Sequence, residues 1–191
     1  PEQFEQYDAQ GFLFVPGLIP AEQIAELNAA VPDLLAGDET VDGMHRERER
    51  SGAVRLVYLA HRHNPAFRAL SENRCIVDPV RQILQSELYI WHSKITVKDA
   101  FEGTVWLWHQ DYGYWYDFGC LYPTMGRCFI AVDQANRENG CLQVIPGSHQ
   151  LGRMNHMKVG GQTGADPERV EAILQRLPRE YVEMEPGDGL F

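Results

Sequence analysis

Residues 104–115 read Thr104-Val105-Trp106-Leu107-Trp108-His109-Gln110-Asp111-Tyr112-Gly113-Tyr114-Trp115. The stretch opens as a short β-prone run and leads into a histidine and an aspartate two residues apart. In an extended backbone such residues point to the same side, so His109 and Asp111 can offer an imidazole nitrogen and a carboxylate oxygen to one metal ion. They would supply two ligands of a two-histidine, one-carboxylate face, which holds iron(II) and leaves positions open for a bidentate co-substrate and dioxygen. Alone, His-x-Asp is a weak signal, because both residue types are common. The surrounding Trp106, Trp108, Tyr112, Tyr114 and Trp115 read either as walls of a dry pocket or as ordinary core at a strand end.

The same β-rich texture extends on both sides, with candidate strands at 89–97, 104–108, 128–134, 142–145 and 181–184. Asn139-Gly140 falls between two of them and predicts a tight hairpin turn joining antiparallel neighbours. Ahead of residue 89 the pattern is helical. Ile24, Leu27, Val31 and Leu34 follow Pro20 at helical spacing, and Asn64-Pro65 and Asp78-Pro79 each pair a capping side chain with a first-turn proline. Asp166-Pro167-Glu168 caps one more short helix, inserted before the sheet resumes. The charged run 45–50, within the polar segment 37–50, reads as a mobile loop or solvated face and a candidate lid. Helices followed by short strands predict an α+β fold with a mainly β core, an antiparallel sandwich or jelly roll. No Gly-x-Gly-x-x-Gly follows a strand, which argues against a parallel dinucleotide-binding sheet.

The 191 residues, 44% hydrophobic and 23% charged, fit one ordinary domain, 1–191. A net charge of -10 gives no electrostatic support for binding nucleic acid or an anionic membrane, so a small molecule is the expected partner. No run approaches the roughly 20 apolar residues of a membrane span, and no signal core follows a basic N-terminus, so a cytoplasmic enzyme, monomer or homodimer, is expected. Cys75, Cys120, Cys128 and Cys141 show no metal-binding spacing and read as buried thiols. Both ends read as cut: the chain starts at Pro1 and stops on Gly189-Leu190-Phe191, the opening of an apolar strand.

Five segments in order then resemble the phytanoyl-CoA dioxygenase family. They are Gly11-Phe12-Leu13 with Pro16-Gly17-Leu18 near the start, Trp108 to Tyr112, Asn139-Gly140-Cys141-Leu142, Pro146-Gly147-Ser148-His149, and Glu185-Pro186-Gly187-Asp188 on to Phe191. The likeness spans nearly the whole chain and is nearest to the ectoine-hydroxylase branch, without assigning that substrate. It implies a double-stranded β-helix, a cupin-like jelly roll, with N-terminal helices outside. It also implies iron(II) as cofactor, 2-oxoglutarate as co-substrate decarboxylated to succinate, and O2 as oxidant in hydroxylation of a small or medium organic substrate.

His109 and Asp111 match the family's first two iron ligands. Thr96, His92, Phe129 and Trp106 match positions around the co-substrate, and Gln110, Tyr114, Trp115 and Lys94 positions facing substrate. Thr96 and Phe129 read equally well as inward strand residues, His92 as a satisfied polar group and Lys94 as solvent-facing. The related halogenases carry a small residue in place of the carboxylate, so Asp111 points to hydroxylation. His149 and His156 are expected outside the metal shell, His149 in a structural turn and His156 in a polar loop. The family's third ligand, a histidine, and its 2-oxoglutarate-binding arginine follow the motif that ends at Phe191. This chain alone is therefore expected to be truncated before its last core strands and to bind iron weakly or not at all. Two other classes fit less of the pattern: a non-catalytic jelly-roll binding module, and a metal-dependent hydrolase that would retain zinc and work without oxygen.

Overall fold

The computed structural model describes residues 2–37, 44–100 and 103–191. Helix α1 (Glu2–Gln10) ends at Gly11, whose φ of 82° turns the chain. A side chain at Gly11 would strike the His149 ring, and His149 Nε2 lies 3.0 Å from Asp8 O, so His149 braces the N-terminus. Strand β1 (Phe14–Val15) follows, then helix α2 (Ala21–Ala36). The spacing of Ile24, Leu27 and Leu34 does what it predicts: all three are buried, in a core with Ile19, Met44, Val57, Ala60 and Phe67.

Strands β2 (Arg46–Arg48) and β3 (Val54–Tyr58) come next, so the charged run is a loop only in part: 46–48 form a strand, while His45, Arg48 and Arg50 are exposed. Arg46 is only 2% exposed, and its Nε donates to Leu34 O at 2.7 Å. The last turn of α2 leaves carbonyls without helical partners, and the guanidinium supplies a donor, so a charged residue is drawn inward. A lid over 37–50 falls partly on 38–43, outside the described residues.

Helices α3 (Ala60–His63) and α4 (Pro65–Ser71) follow, and Asn64 caps α4 as expected, accepting from Ala66 N at 2.9 Å. Helix α5 (Arg74–Leu84) departs from expectation. Asn73 caps it, accepting from Cys75 N at 3.1 Å, and Pro79 lies inside the helix. Asp78 is spent instead on Arg74, four residues back, at 3.0 Å.

The strands are shorter than their patterns. Within 89–97 only β4 (Lys94–Thr96) forms, completing the antiparallel sheet β2-β3-β4, and residues 104–108 join no ladder. After helix α6 (Asp111–Tyr116) come β5 (Phe129–Ile130), β6 (Leu142–Val144), β7 (His156–Val159) and β8 (Gln162–Ala165). Helix α7 (Pro167–Leu174), capped by Asp166 as expected, leads to β9 (Glu180–Val182) and β10 (Gly189–Leu190).

Asn139-Gly140 does turn the chain, with Gly140 at φ 84°, but it does not join paired strands. Strand β5 pairs with β10 and β6 with β9, while Met184 bridges Ala135, so the 180–184 segment meets both arms of the turn. The unpredicted hairpin is β7–β8, turned by Gly160 and Gly161, both at positive φ. His156 therefore stands on a strand, not in a loop.

The 189–191 run is central: β10 lies between β1 and β5. Buried Asp188 ties the Pro16-Gly17 and Glu185-Asp188 segments together, accepting from Gly17 N at 2.7 Å and Glu185 N at 2.8 Å. The architecture mixes helix and strand, with helices α1–α5 in the N-terminal half and small antiparallel sheets carrying the rest.

Candidate active site

The backbone changes direction inside the His-x-Asp motif. Gln110 is extended (φ -115°, ψ 123°) and Asp111 is the first residue of α6, so strict two-residue alternation does not hold through it. The two side chains nonetheless converge, with His109 Nε2 at 3.5 Å from Asp111 Oδ1.

His109 Nδ1 lies 2.8 Å from Leu107 O, and a carbonyl only accepts, so Nδ1 carries a proton and Nε2 is the ring nitrogen that can give a lone pair to a metal. Two electron-pair donors then face one point. A ring nitrogen fixed by a backbone carbonyl on its far side is the usual setting of a metal-binding histidine. The residues present thus fit two sites on a divalent metal. Among the described residues no third histidine, cysteine or carboxylate joins them.

Asp111 is also held from its other oxygen, Oδ2, by Arg127 Nη2 at 2.7 Å. Burial pushes the Asp111 carboxyl up, but the hydrogen bond that a protonated His109 Nε2 donates to it and the Arg127 charge more than reverse this and bring it to about 2. The carboxylate is therefore ionised at neutral pH. Arg127 lies 16 positions along the chain, and no local motif points to it.

The pair opens onto a cavity of about 260 Å³. Trp106, Tyr114, Trp115 and Lys94, all expected at the site, line it with His109 and Asp111. Sequence reasoning missed Glu47, Arg55 and Tyr58 from β2 and β3, and Gln162 and Thr163 from β8. The Gly160-Gly161 turn between two β-prone runs was the available signal for the β8 wall.

Arg55 stacks 3.8 Å from the Trp106 ring centroid, and Tyr58 Oη donates to Glu47 at 3.3 Å. Lys94 Nζ lies 5.2 Å from the Tyr58 ring and 5.5 Å from Trp115, and among the described residues no carboxylate stands within 4 Å of it. Burial, with the charge of Arg127, lowers the Lys94 ammonium pKa.

Four expected residues do not line this cavity. His92 stands behind it, its ring 4.9 Å from Trp115; its Nε2 is buried without a partner, and burial, with Lys94, pulls the ring down to about 4. Thr96 pairs with Leu56 in the β3–β4 ladder, and Phe129 with Leu190 in β5–β10. Gln110 spends its amide elsewhere, donating to Gly152 O at 2.8 Å and accepting from Met154 N at 2.9 Å.

The profile of the phytanoyl-CoA dioxygenase (PhyH) family matches residues 7–191. An ectoine dioxygenase from Nocardia farcinica is 32% identical over 151 residues, covering 78% of this chain and 51% of that protein. An L-proline trans-4-hydroxylase from Streptomyces griseoviridis is 32% identical over 129 residues, covering 63% and 48%. The chain spans about half the length of the curated relatives it matches. Among solved structures, EctD from S. alaskensis with 2-oxoglutarate and 5-hydroxyectoine superposes with a TM-score of 0.81 at 24% identity, covering 99% of this chain and 65% of that one. The carbocyclase SnoK from nogalamycin biosynthesis gives 0.73 at 21% identity, covering 99% and 72%. Those two likenesses bear on fold, and the profile match over 7–191 bears on descent. On that match, the chain belongs to the phytanoyl-CoA dioxygenase family.

Proposed function

We propose that this chain carries two of the three iron ligands of an iron(II)- and 2-oxoglutarate-dependent dioxygenase, and that the whole protein hydroxylates a small amphoteric molecule. One observation carries this reading: His109 Nε2, its tautomer set by Leu107 O, and Asp111 Oδ1 face a common point at the mouth of an aromatic-lined cavity. In the fold that accompanies this function, sheets β1-β10-β5 and β6-β9 are strips of a double-stranded β-helix within a single domain, and helices α1–α5 pack outside it. The greater length of the relatives leaves room for a third ligand and a 2-oxoglutarate anchor outside these residues.

When bound, iron(II) supplies the redox and Lewis-acid chemistry by which O2 converts 2-oxoglutarate to succinate and carbon dioxide and a substrate C–H to C–OH. The side chains position and exclude. Arg127 holds Asp111 Oδ2 and leaves Oδ1 for the metal, while Trp106, Tyr114 and Trp115 wall the cavity beside it. Lys94, without a carboxylate of its own, takes an anionic group of the substrate, and Glu47, on the same sheet beside Tyr58, takes a donor. A volume of about 260 Å³ suits a molecule of amino-acid size, below the roughly 300–1,000 Å³ of common ligand pockets. The names of the ectoine and proline relatives support the same class.

The test is anaerobic addition of iron(II) and 2-oxoglutarate to the full-length protein. A visible metal-to-ligand charge-transfer band is expected, and His109→Ala and Asp111→Ala should each abolish it. A band that survives both substitutions would refute the ligand assignment.

A further inference from the structure

We propose that His156 is a positioning residue, holding the backbone between the two metal-facing side chains; this rests on the reading of His109 and Asp111 as ligands. The His156 ring joins two backbones. Its Nδ1 lies 3.1 Å from Met154 O and donates to it, which leaves Nε2 as an acceptor for Gln110 N–H at 3.0 Å. Gln110 stands between His109 and Asp111, at the point where extended chain becomes helix α6.

The Gln110 side chain is tied to the same neighbouring segment, through Gly152 O and Met154 N. Gly113, on the next turn, packs as closely: a Cβ there would lie 2.3 Å from Met154 O and 2.7 Å from the His156 ring. Swinging the Gln110 peptide so that Asp111 leaves His109 would break the bond to His156 and strain this contact. His156 thus acts through the backbone on the angle between the two ligands. It is one of two histidines set aside in the sequence, and β7 brings it to the motif from 46 positions away.

Partners that orient metal ligands typically change metal affinity by about 10–100-fold when removed. The experiment is cobalt(II) titration of the full-length protein, followed by visible absorption, with melting temperature recorded for each variant. His156→Leu should weaken cobalt(II) binding by about tenfold or more among folded molecules. His156→Gln, whose Oε1 can reach the place of Nε2, should restore most of it, whereas His156→Asn, ending nearer Nδ1, should not.

Wild-type affinity in His156→Leu, or equal behaviour of Gln and Asn, overturns the proposal. If the variants do not fold, long-range ¹H–¹⁵N spectra of the metal-free wild type decide: Nδ1–H with unprotonated Nε2 supports it, and Nε2–H overturns it. Cobalt(II) binding that survives His109→Ala and Asp111→Ala would sink the ligand reading itself, an outcome distinct from failure of His156 alone.

Discussion

The floor beneath α2 and the turn that carries His109 and Asp111 are held together by different physics. In the floor, Leu27 and Val57 are 0% exposed and pack with Ile19, Ile24 and Phe67, so apolar burial dominates. The ligand turn is half-buried and held by polar contacts: Arg127 on the carboxylate, Leu107 O on the imidazole, His156 and Met154 on Gln110. Burial is tolerant of direction, whereas hydrogen bonds fix angles. The floor therefore stabilises the domain, and the turn sets where two electron pairs point.

Substitutions can break that division. The largest effect is expected from His109→Ala, which should remove detectable cobalt(II) binding in a full-length titration while the melting curve stays close to wild type. Leu27→Ala should do the reverse, costing about 2–5 kcal/mol in urea unfolding with metal affinity of the folded protein unchanged. A loss of affinity in Leu27→Ala comparable to that in His109→Ala would show that the two regions are not separable.

Asp188→Asn probes the seam between β10 and the Gly17 turn. The amide keeps one acceptor but turns a donor toward Gly17 N or Glu185 N, so about 1–3 kcal/mol of stability should be lost in urea unfolding.

The smallest effect concerns pH. Burial pushes the Cys128 thiol up to about 12, against an unfolded thiol near 8.5. Below 8.5 both states are protonated and nothing is lost; above it only the unfolded chain ionises, so stability declines as pH rises toward 12. Cys128→Ser should flatten that decline in urea melts across the window, and an unchanged slope would locate its source elsewhere.

What the sequence discloses follows the range of the interaction. The α2 core positions and the Asn64 and Asp166 caps depend on neighbours within a turn or two, and spacing alone finds them. The pairing of His109 with Asp111 is local in the same sense, although the turn at Gln110 achieves it rather than alternation. Burial of Arg46 is not legible in the charged run, because its partner is the carbonyl of Leu34. Asp78-Pro79 carries a cap signature, but Asn73 one turn earlier takes the role. The Asn139-Gly140 turn was legible and its pairing was not, since register is decided by strands from elsewhere in the chain. Arg127 and His156 reach the ligand turn only through the assembled sheet.

The most direct test of the account is a crystal structure of the full-length protein loaded anaerobically with manganese(II) or cobalt(II), with anomalous diffraction measured at the metal edge. The account predicts a single peak about 2.0–2.3 Å from both His109 Nε2 and Asp111 Oδ1, with Arg127 still on Oδ2. A peak elsewhere, or a loaded site in which His109 Nε2 is hydrogen-bonded and turned from the metal, would contradict it.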